Sequence, residues 1–104
     1  MNTNDQPRLT IVTVTRNDRT GLERTFRSLE SQTIEFSKLA RVEWVVIDGL
    51  SSDDTCDYIS KIQFKGKFTF VSESDDGIFD AMNKGVVFAK GDYVLFLNSG
   101  DRLK

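Results

Sequence analysis

At 104 residues the chain fits a single core, and roughly two thirds of its unfolded surface can be buried at that size. Its 38% apolar and 29% charged residues describe an ordinary globular chain, and a net charge of −2 with both signs scattered excludes a basic nucleic-acid-binding face. The single cysteine, Cys56, rules out an internal disulfide, and the absence of histidine removes the usual general base and the commonest transition-metal ligand. Chemistry must therefore rest on carboxylates, amides, hydroxyls, lysine and arginine. The opening MNTNDQPR is polar and expected to fray. No apolar run approaches the roughly 18 residues of a membrane span, and no signal peptide is expected before Leu9. A cytoplasmic placement follows, with the cytoplasmic face of a membrane also open.

LTIVTV (Leu9–Val14) reads as the first strand, and Thr15, Arg16 and Asn17 follow it. A planar cation there suits stacking on a base or meeting phosphate, while Asn17 or Asp18 equally suits a turn. Thr20 and Glu23 have capping-box spacing, and Leu22, Phe26 and Leu29 form a helical stripe behind them. VEWVVI (Val42–Ile47) is apolar enough for a strand covered on both faces, and it ends in Asp48 and Gly49. Asp48 could accept a hydrogen bond from a base or ribose, or cap the next helix.

Ser51 and Ser52 precede Asp53 and Asp54, acidic residues suited to a first helical turn, with Ile59 and Ile62 as buried contacts and Cys56 as a small core residue. KFTFVS (Lys67–Ser72) is the third strand. Asp75 or Asp76 caps a third helix that carries Ile78, Met82, Val86 and Ala89 on one face. Within it Asp80 and Lys84 have ion-pair spacing, and Gly85 signals close packing on the sheet or a ligand. Lys90-Gly91 supplies a cation and then a residue able to take φ > 0, a helix stop. YVLFL (Tyr93–Leu97) is the last strand, again continuous enough to be covered on both faces, and it opens onto Asn98, Ser99, Gly100 and Asp101.

Strands alternating with helices predict a three-layer α/β/α sandwich around a mostly parallel sheet of order 3-2-1-4, without repeats or linkers. Ligands of such sheets bind outside the carboxyl ends of the strands, near the point where strand order reverses. Those ends are Thr15-Arg16-Asn17, Asp48-Gly49 and Asn98–Asp101. Neither G-x-G-x-x-G nor G-x-x-x-x-G-K-[ST] is present, so a phosphate grip must come from a metal or from cations. Asp101 is the candidate ligand for a hard divalent ion, with a turn-forming role as the alternative. In this order YVLFL lies at a sheet edge without proline, which predicts self-association through Tyr93–Leu97.

LTIVTVTRND, SLESQT, EWVVIDGLSSDDT, SESDDGIFDAMNKG and AKGDYVLFLNSGD, taken in order, resemble family 2 glycosyltransferases of the GT-A fold. The likeness runs over residues 9–101, and the DGIFDAMNKG and FLNSGD wording is similar to bacterial exopolysaccharide enzymes of the colanic-acid type. The resemblance implies sugar transfer from a UDP- or GDP-sugar to a growing polysaccharide or lipid-linked acceptor, with inversion. It implies donor binding by Thr15, Arg16, Asn17, Asp48, Asp80, Asn98 and Ser99, and Mn²⁺ or Mg²⁺ held on the diphosphate by Asp101. The family's common Asp-Ser-Asp-Asp is here Asn98, Ser99, Gly100 and Asp101, its Asp-Asp is Asp48-Gly49, and the usual aromatic before Asn17 is Arg16. The acceptor's base is expected beyond residue 104, which makes residues 1–104 the donor-binding part of a larger enzyme. Two readings from other classes are a catalytically inert nucleotide-binding module and a phosphoacceptor signalling domain. The second wants an acidic pair after the first strand and an acceptor aspartate after the third, where this chain has Thr15-Arg16-Asn17 and Ser72-Glu73.

Overall fold

The computed structural model of the protein describes residues 9–39, 42–64 and 66–100. In chain order it contains β1 (Leu9–Thr15), α1 (Arg19–Leu39), β2 (Val42–Asp48), α2 (Thr55–Ile59), β3 (Lys67–Ser72), α3 (Ile78–Phe88) and β4 (Tyr93–Phe96). The strands form one parallel sheet of order β3-β2-β1-β4, as the β-α alternation predicts. β1 and β2 each run one residue further than expected because Thr15 pairs with Asp48. β4 ends at Phe96, yet the amides of Leu97 and Ser99 still donate to the carbonyls of Val12 (2.9 Å) and Val14 (3.1 Å). The path of β1 thus guides the chain as far as Ser99.

Alternation along the two central strands sends successive side chains to opposite faces. Ile11, Trp44 and Val46 pack with Leu22 and Leu29 of α1 and Ile59 of α2 on one face. Val12, Val45 and Ile47 meet Ala81 of α3 on the other. That division makes the three layers. Trp44 anchors the first face: it is fully buried, stacks on Phe26 at 5.6 Å, and meets Phe64 and Phe68 at 5.5 and 5.3 Å. Its indole N–H donates to Thr13 Oγ1 at 2.8 Å, so the largest core side chain leaves no unpaired donor.

Several local expectations need correction, among them the α3 cap, which is Gly77 and not Asp75 or Asp76. α1 begins at Arg19, so its cap is Asp18 and not Thr20: Asp18 Oδ1 accepts from the Gly21 amide at 3.1 Å. On α3 the buried residues are Ala81 and Gly85, while Ile78 and Val86 of the expected stripe are about half exposed. Proximity decides this. A Cβ on Gly85 would stand 2.3 Å from Val12 Cγ1, so the helix lies too close to β1 for a larger side chain, and the small face turns inward. Gly91 is not among the positive-φ glycines; it is small because a Cβ there would come within 2.7 Å of Thr10 N and Oγ1. Its amide donates to Thr10 Oγ1, which donates in turn to buried Glu43, and Glu43 also accepts from the Lys90 amide. This network fastens the start of β4 to the amino ends of β1 and β2. Finally, Tyr93–Phe96 are all exposed and not covered on both faces, because the helices pack chiefly on β1 and β2.

Candidate functional site

The carboxyl ends of the strands carry the loops, and a cavity of about 380 Å³ opens among them where β1 parts from β4 in the strand order. Thr15, Arg16, Asn98 and Ser99 line it, four of the residues expected to bind the donor. Asp18, Asp75, Gly77 and Ile78 line it too. Sequence reasoning missed these four as site residues; Asp18 and Asp75 were legible only as turn formers or caps.

Each wall has a local cause. Thr15 is 2% exposed, and its hydroxyl has no hydrogen-bond partner among the described residues. A buried, unpaired hydroxyl beside a cavity is costly unless a ligand completes it. Ser99 Oγ donates to Asp18 Oδ2 at 2.7 Å, so both oxygens of Asp18 are engaged, one at the α1 cap and one at Ser99. Gly100 follows with φ +94°, a left-handed conformation that favours glycine, and its amide donates to Thr25 Oγ1 and to the Gly21 carbonyl, both at 3.0 Å. The segment before Asp101 is thereby fixed along the rim. Asp101 itself lies outside the described residues.

Three other expected donor residues stand off the cavity. Asp48 is fully buried, and its Oδ2 accepts from Ser51 N (2.8 Å), Ser72 Oγ (2.8 Å) and Cys56 Sγ (3.3 Å), while Oδ1 accepts from Ser51 Oγ. That grip on Ser51 holds the intervening Leu50 at φ 61°, a region uncommon for leucine. Burial pushes the Cys56 thiol up, and the neighbouring Asp48 carboxylate adds to the shift. Asn17, itself at φ 49°, accepts through Oδ1 from the amides of Ser52 (2.7 Å) and Asp53 (3.3 Å) and so ties the β1 and β2 loops together. Asp80 accepts from the Asp76 amide at 2.9 Å and pairs with Lys84 at 3.6 Å.

Lys84 in turn donates to the Ser74 carbonyl at 2.7 Å and meets Glu73 at 3.2 Å. Desolvation pulls the Lys84 ammonium down, but its bond to Glu73 and the surrounding carboxylates outweigh that and raise it. Asp80 and Lys84 therefore fix the loop between β3 and α3, and that loop delivers Asp75 to the cavity. Its Oδ1 accepts from the Gly77 amide at 3.0 Å. Among the described residues no group of three or more acidic, cysteine or histidine side chains could hold a metal ion.

Residues 10–103 match the profile described as glycosyl transferase family 2. The chain belongs to that family. It is 41% identical over 96 residues to an uncharacterized glycosyltransferase of Mycobacterium tuberculosis, Rv1514c, a match covering 92% of this chain and 35% of that protein. A PGL/p-HBAD biosynthesis glycosyltransferase of Mycobacterium bovis is 38% identical over 63 residues, covering 59% of this chain and 25% of the relative. Among solved structures, Staphylococcus aureus TarS 1-349 in complex with UDP-GlcNAc superposes with a TM-score of 0.80 at 26% identity, over 91% of this chain and 27% of that one. A mannosyltransferase from Pyrobaculum calidifontis, PcManGT, in complex with GDP-Man and Mn²⁺, gives 0.77 at 24% identity, over 91% of this chain and 28% of that one, and shares the fold. The family match removes the phosphoacceptor alternative. The chain spans 35% of the length of the curated relative it matches over most of its own.

Proposed function

We propose that this chain is the donor-binding part of a glycosyltransferase that moves a sugar from a nucleoside-diphosphate sugar to a saccharide or lipid-linked acceptor. The observation that carries the reading is the cavity at the strand-order reversal, with the unpaired Thr15 hydroxyl and the Arg16 cation on its wall and Asn98 and Ser99 on its β4 side. The UDP-GlcNAc of the TarS structure supports a nucleotide sugar as the ligand class. Thr15, Arg16, Asn98 and Ser99 contact the donor. Asn17, Asp48 and Asp80 hold the loops that shape the cavity.

In the reaction the bond from the anomeric carbon to the diphosphate oxygen breaks while a bond to the acceptor oxygen forms on the opposite face. A carboxylate base would take the acceptor's proton, and we place that base beyond residue 104. Arg16 supplies positive charge at the donor, and its planar guanidinium suits either phosphate or a base face.

A divalent ion, Mn²⁺ or Mg²⁺, fits with Asp101 as its carboxylate. Ser99 and Gly100 precede Asp101 in sequence and are fixed on the rim, and Asn98 on the cavity wall would add a neutral amide oxygen. The described residues bring no cluster of acidic ligands, so a bound ion would draw further oxygen ligands from the donor's phosphates. When bound, the ion supplies neutralisation of charge on the leaving diphosphate.

No helix among the described residues is long and apolar enough to cross a membrane, and a cytoplasmic setting, at or away from a membrane face, suits a soluble nucleotide sugar. The exposed edge strand Tyr93–Phe96 gives the protein a route to self-association.

Calorimetric titration with UDP, GDP and inorganic phosphate, with and without Mn²⁺, tests the donor reading. Saturable binding of a nucleoside diphosphate, strengthened by Mn²⁺, is expected. Binding no stronger than that of inorganic phosphate would overturn it.

A further inference from the structure

We propose that Thr25 is a positioning residue for the donor: from inside α1 its hydroxyl clamps the turn Asn98–Gly100 and so holds Asn98 and Ser99 on the cavity wall. The proposal rests on the donor-binding reading and adds to it a residue that touches no ligand.

Thr25 is fully buried in the second turn of α1 and does not line the cavity. A β-branched polar residue there gives up helix propensity against alanine and apolar burial against leucine, which points to a use for its hydroxyl. Oγ1 accepts from the Gly100 amide at 3.0 Å and donates to the Asn98 carbonyl at 3.4 Å. These are the backbone groups on either side of Ser99. One hydroxyl can serve both because it carries a donor and two acceptor sites.

Thr25 completes a helix face. Asp18, Gly21 and Thr25 follow at steps of three and four, the spacing that aligns residues on one side of a helix. Ser99 Oγ donates to Asp18 Oδ2 at 2.7 Å, and the Gly100 amide also donates to the Gly21 carbonyl at 3.0 Å. A Cβ on Gly21 would stand 2.1 Å from Asp18 Oδ2, so a glycine there lets the carboxylate lie where Ser99 reaches it. From the other side the Ser99 amide donates to the Val14 carbonyl at 3.1 Å. The turn is thus pinned between β1 and one face of α1.

These pins are not equivalent. Asp18 holds a side chain, and the Gly21 carbonyl holds one amide about which the turn could still pivot. Thr25 bonds the peptide groups on both flanks of Ser99 and opposes that pivot. It thereby sets how Asn98 and Ser99 face the cavity and, through Gly100 at φ +94°, the direction in which the chain leaves for Asp101. Removing the hydroxyl leaves the Gly100 amide paired with Gly21, so the loss falls on the geometry of the rim.

Calorimetry with UDP and GDP in Mn²⁺, on the parent protein and on Thr25→Val, Thr25→Ser and Ile59→Val, tests the role. Valine keeps the shape without the hydroxyl, serine keeps the hydroxyl, and Ile59→Val trims the core elsewhere, in α2. Thr25→Val should weaken the tighter of the two diphosphates by about tenfold, the lower end of what losing an outer-shell partner costs at a metal site. Thr25→Ser should stay within about threefold of the parent. Ile59→Val should bind as the parent does although its melting temperature falls by about 4–8 °C. If Thr25→Val does not fold, Thr25→Ala, the better helix former, gives the same comparison. A hydroxyl-free variant that binds like the parent, a Thr25→Ser as weak as that variant, or an Ile59→Val that loses as much overturns the positioning role and leaves the donor reading standing. Failure of the parent to bind either diphosphate overturns both.

Discussion

Replacing Asp48 with alanine removes a carboxylate that is wholly shut off from solvent and holds together β2, β3 and the loop after β2. It strips the acceptor from Ser51 N, Ser51 Oγ, Ser72 Oγ and Cys56 Sγ at once. Hydrogen bonds to a charged acceptor are worth about 1.5–3 kcal/mol each, but the four are not additive. Ser51 and Ser72 are only partly buried and their hydroxyls regain water, whereas the Ser51 amide loses the bond that fixes the turn. Leu50, released from its left-handed conformation, recovers about 1 kcal/mol of strain. A net loss of about 3 kcal/mol is expected, or roughly 12–24 °C in Tm for a domain of this size. Trp44, the single tryptophan and fully buried, provides the fluorescence signal for urea unfolding. Nucleoside-diphosphate affinity should fall only as far as the loop loosens. A stability loss below about 1 kcal/mol, together with a large loss of nucleotide affinity, would refute the reasoning and put Asp48 on the ligand.

Gly85→Val should destabilise by about 3 kcal/mol in the same assay, because Val12 Cγ1 already stands 2.3 Å from the site of the first added carbon; an unchanged midpoint would mean α3 can lift off the sheet freely. Mn²⁺ and nucleoside diphosphate should tighten each other's binding by the same factor, a coupling of about 1–3 kcal/mol, and Asp101→Asn should abolish it with the melting temperature unchanged; retained metal dependence in the variant would reduce Asp101 to a turn residue. Sedimentation velocity should show concentration-dependent self-association that Leu95→Lys suppresses, and a monomer at high concentration would contradict the edge-strand route.

The layered fold was legible because β-branched runs alternating with helical stripes leave few topologies for a chain this short. Burial on single elements was less so. Ile78 and Val86 satisfy helical periodicity as well as Ala81 and Gly85 do, and only the distance between α3 and β1 selects the smaller pair. YVLFL has the composition of an interior strand, and nothing within five residues reveals that Tyr93–Phe96 stay exposed. At the site, Thr15, Arg16, Asn98 and Ser99 were legible as residues that follow strands at the crevice. Asp75 was not, since its place depends on a vacancy at Gly49, twenty-six positions earlier in the chain. Asp48 stands at a strand end as a ligand residue would, and only the side chains around it reveal that its oxygens are already taken.

The central claim, that the cavity where β1 parts from β4 holds the donor, is tested most directly by mapping backbone amide shifts in ¹H–¹⁵N spectra during titration with UDP-GlcNAc and GDP-mannose in Mg²⁺. Saturable shifts confined to residues 15–18, 75–77 and 98–100 are expected for at least one of the two, with little change at Thr10, Glu43 and Gly91 at the amino ends of the strands. Absence of saturable shifts with both sugars, or shifts centred on those amino ends, would contradict the account.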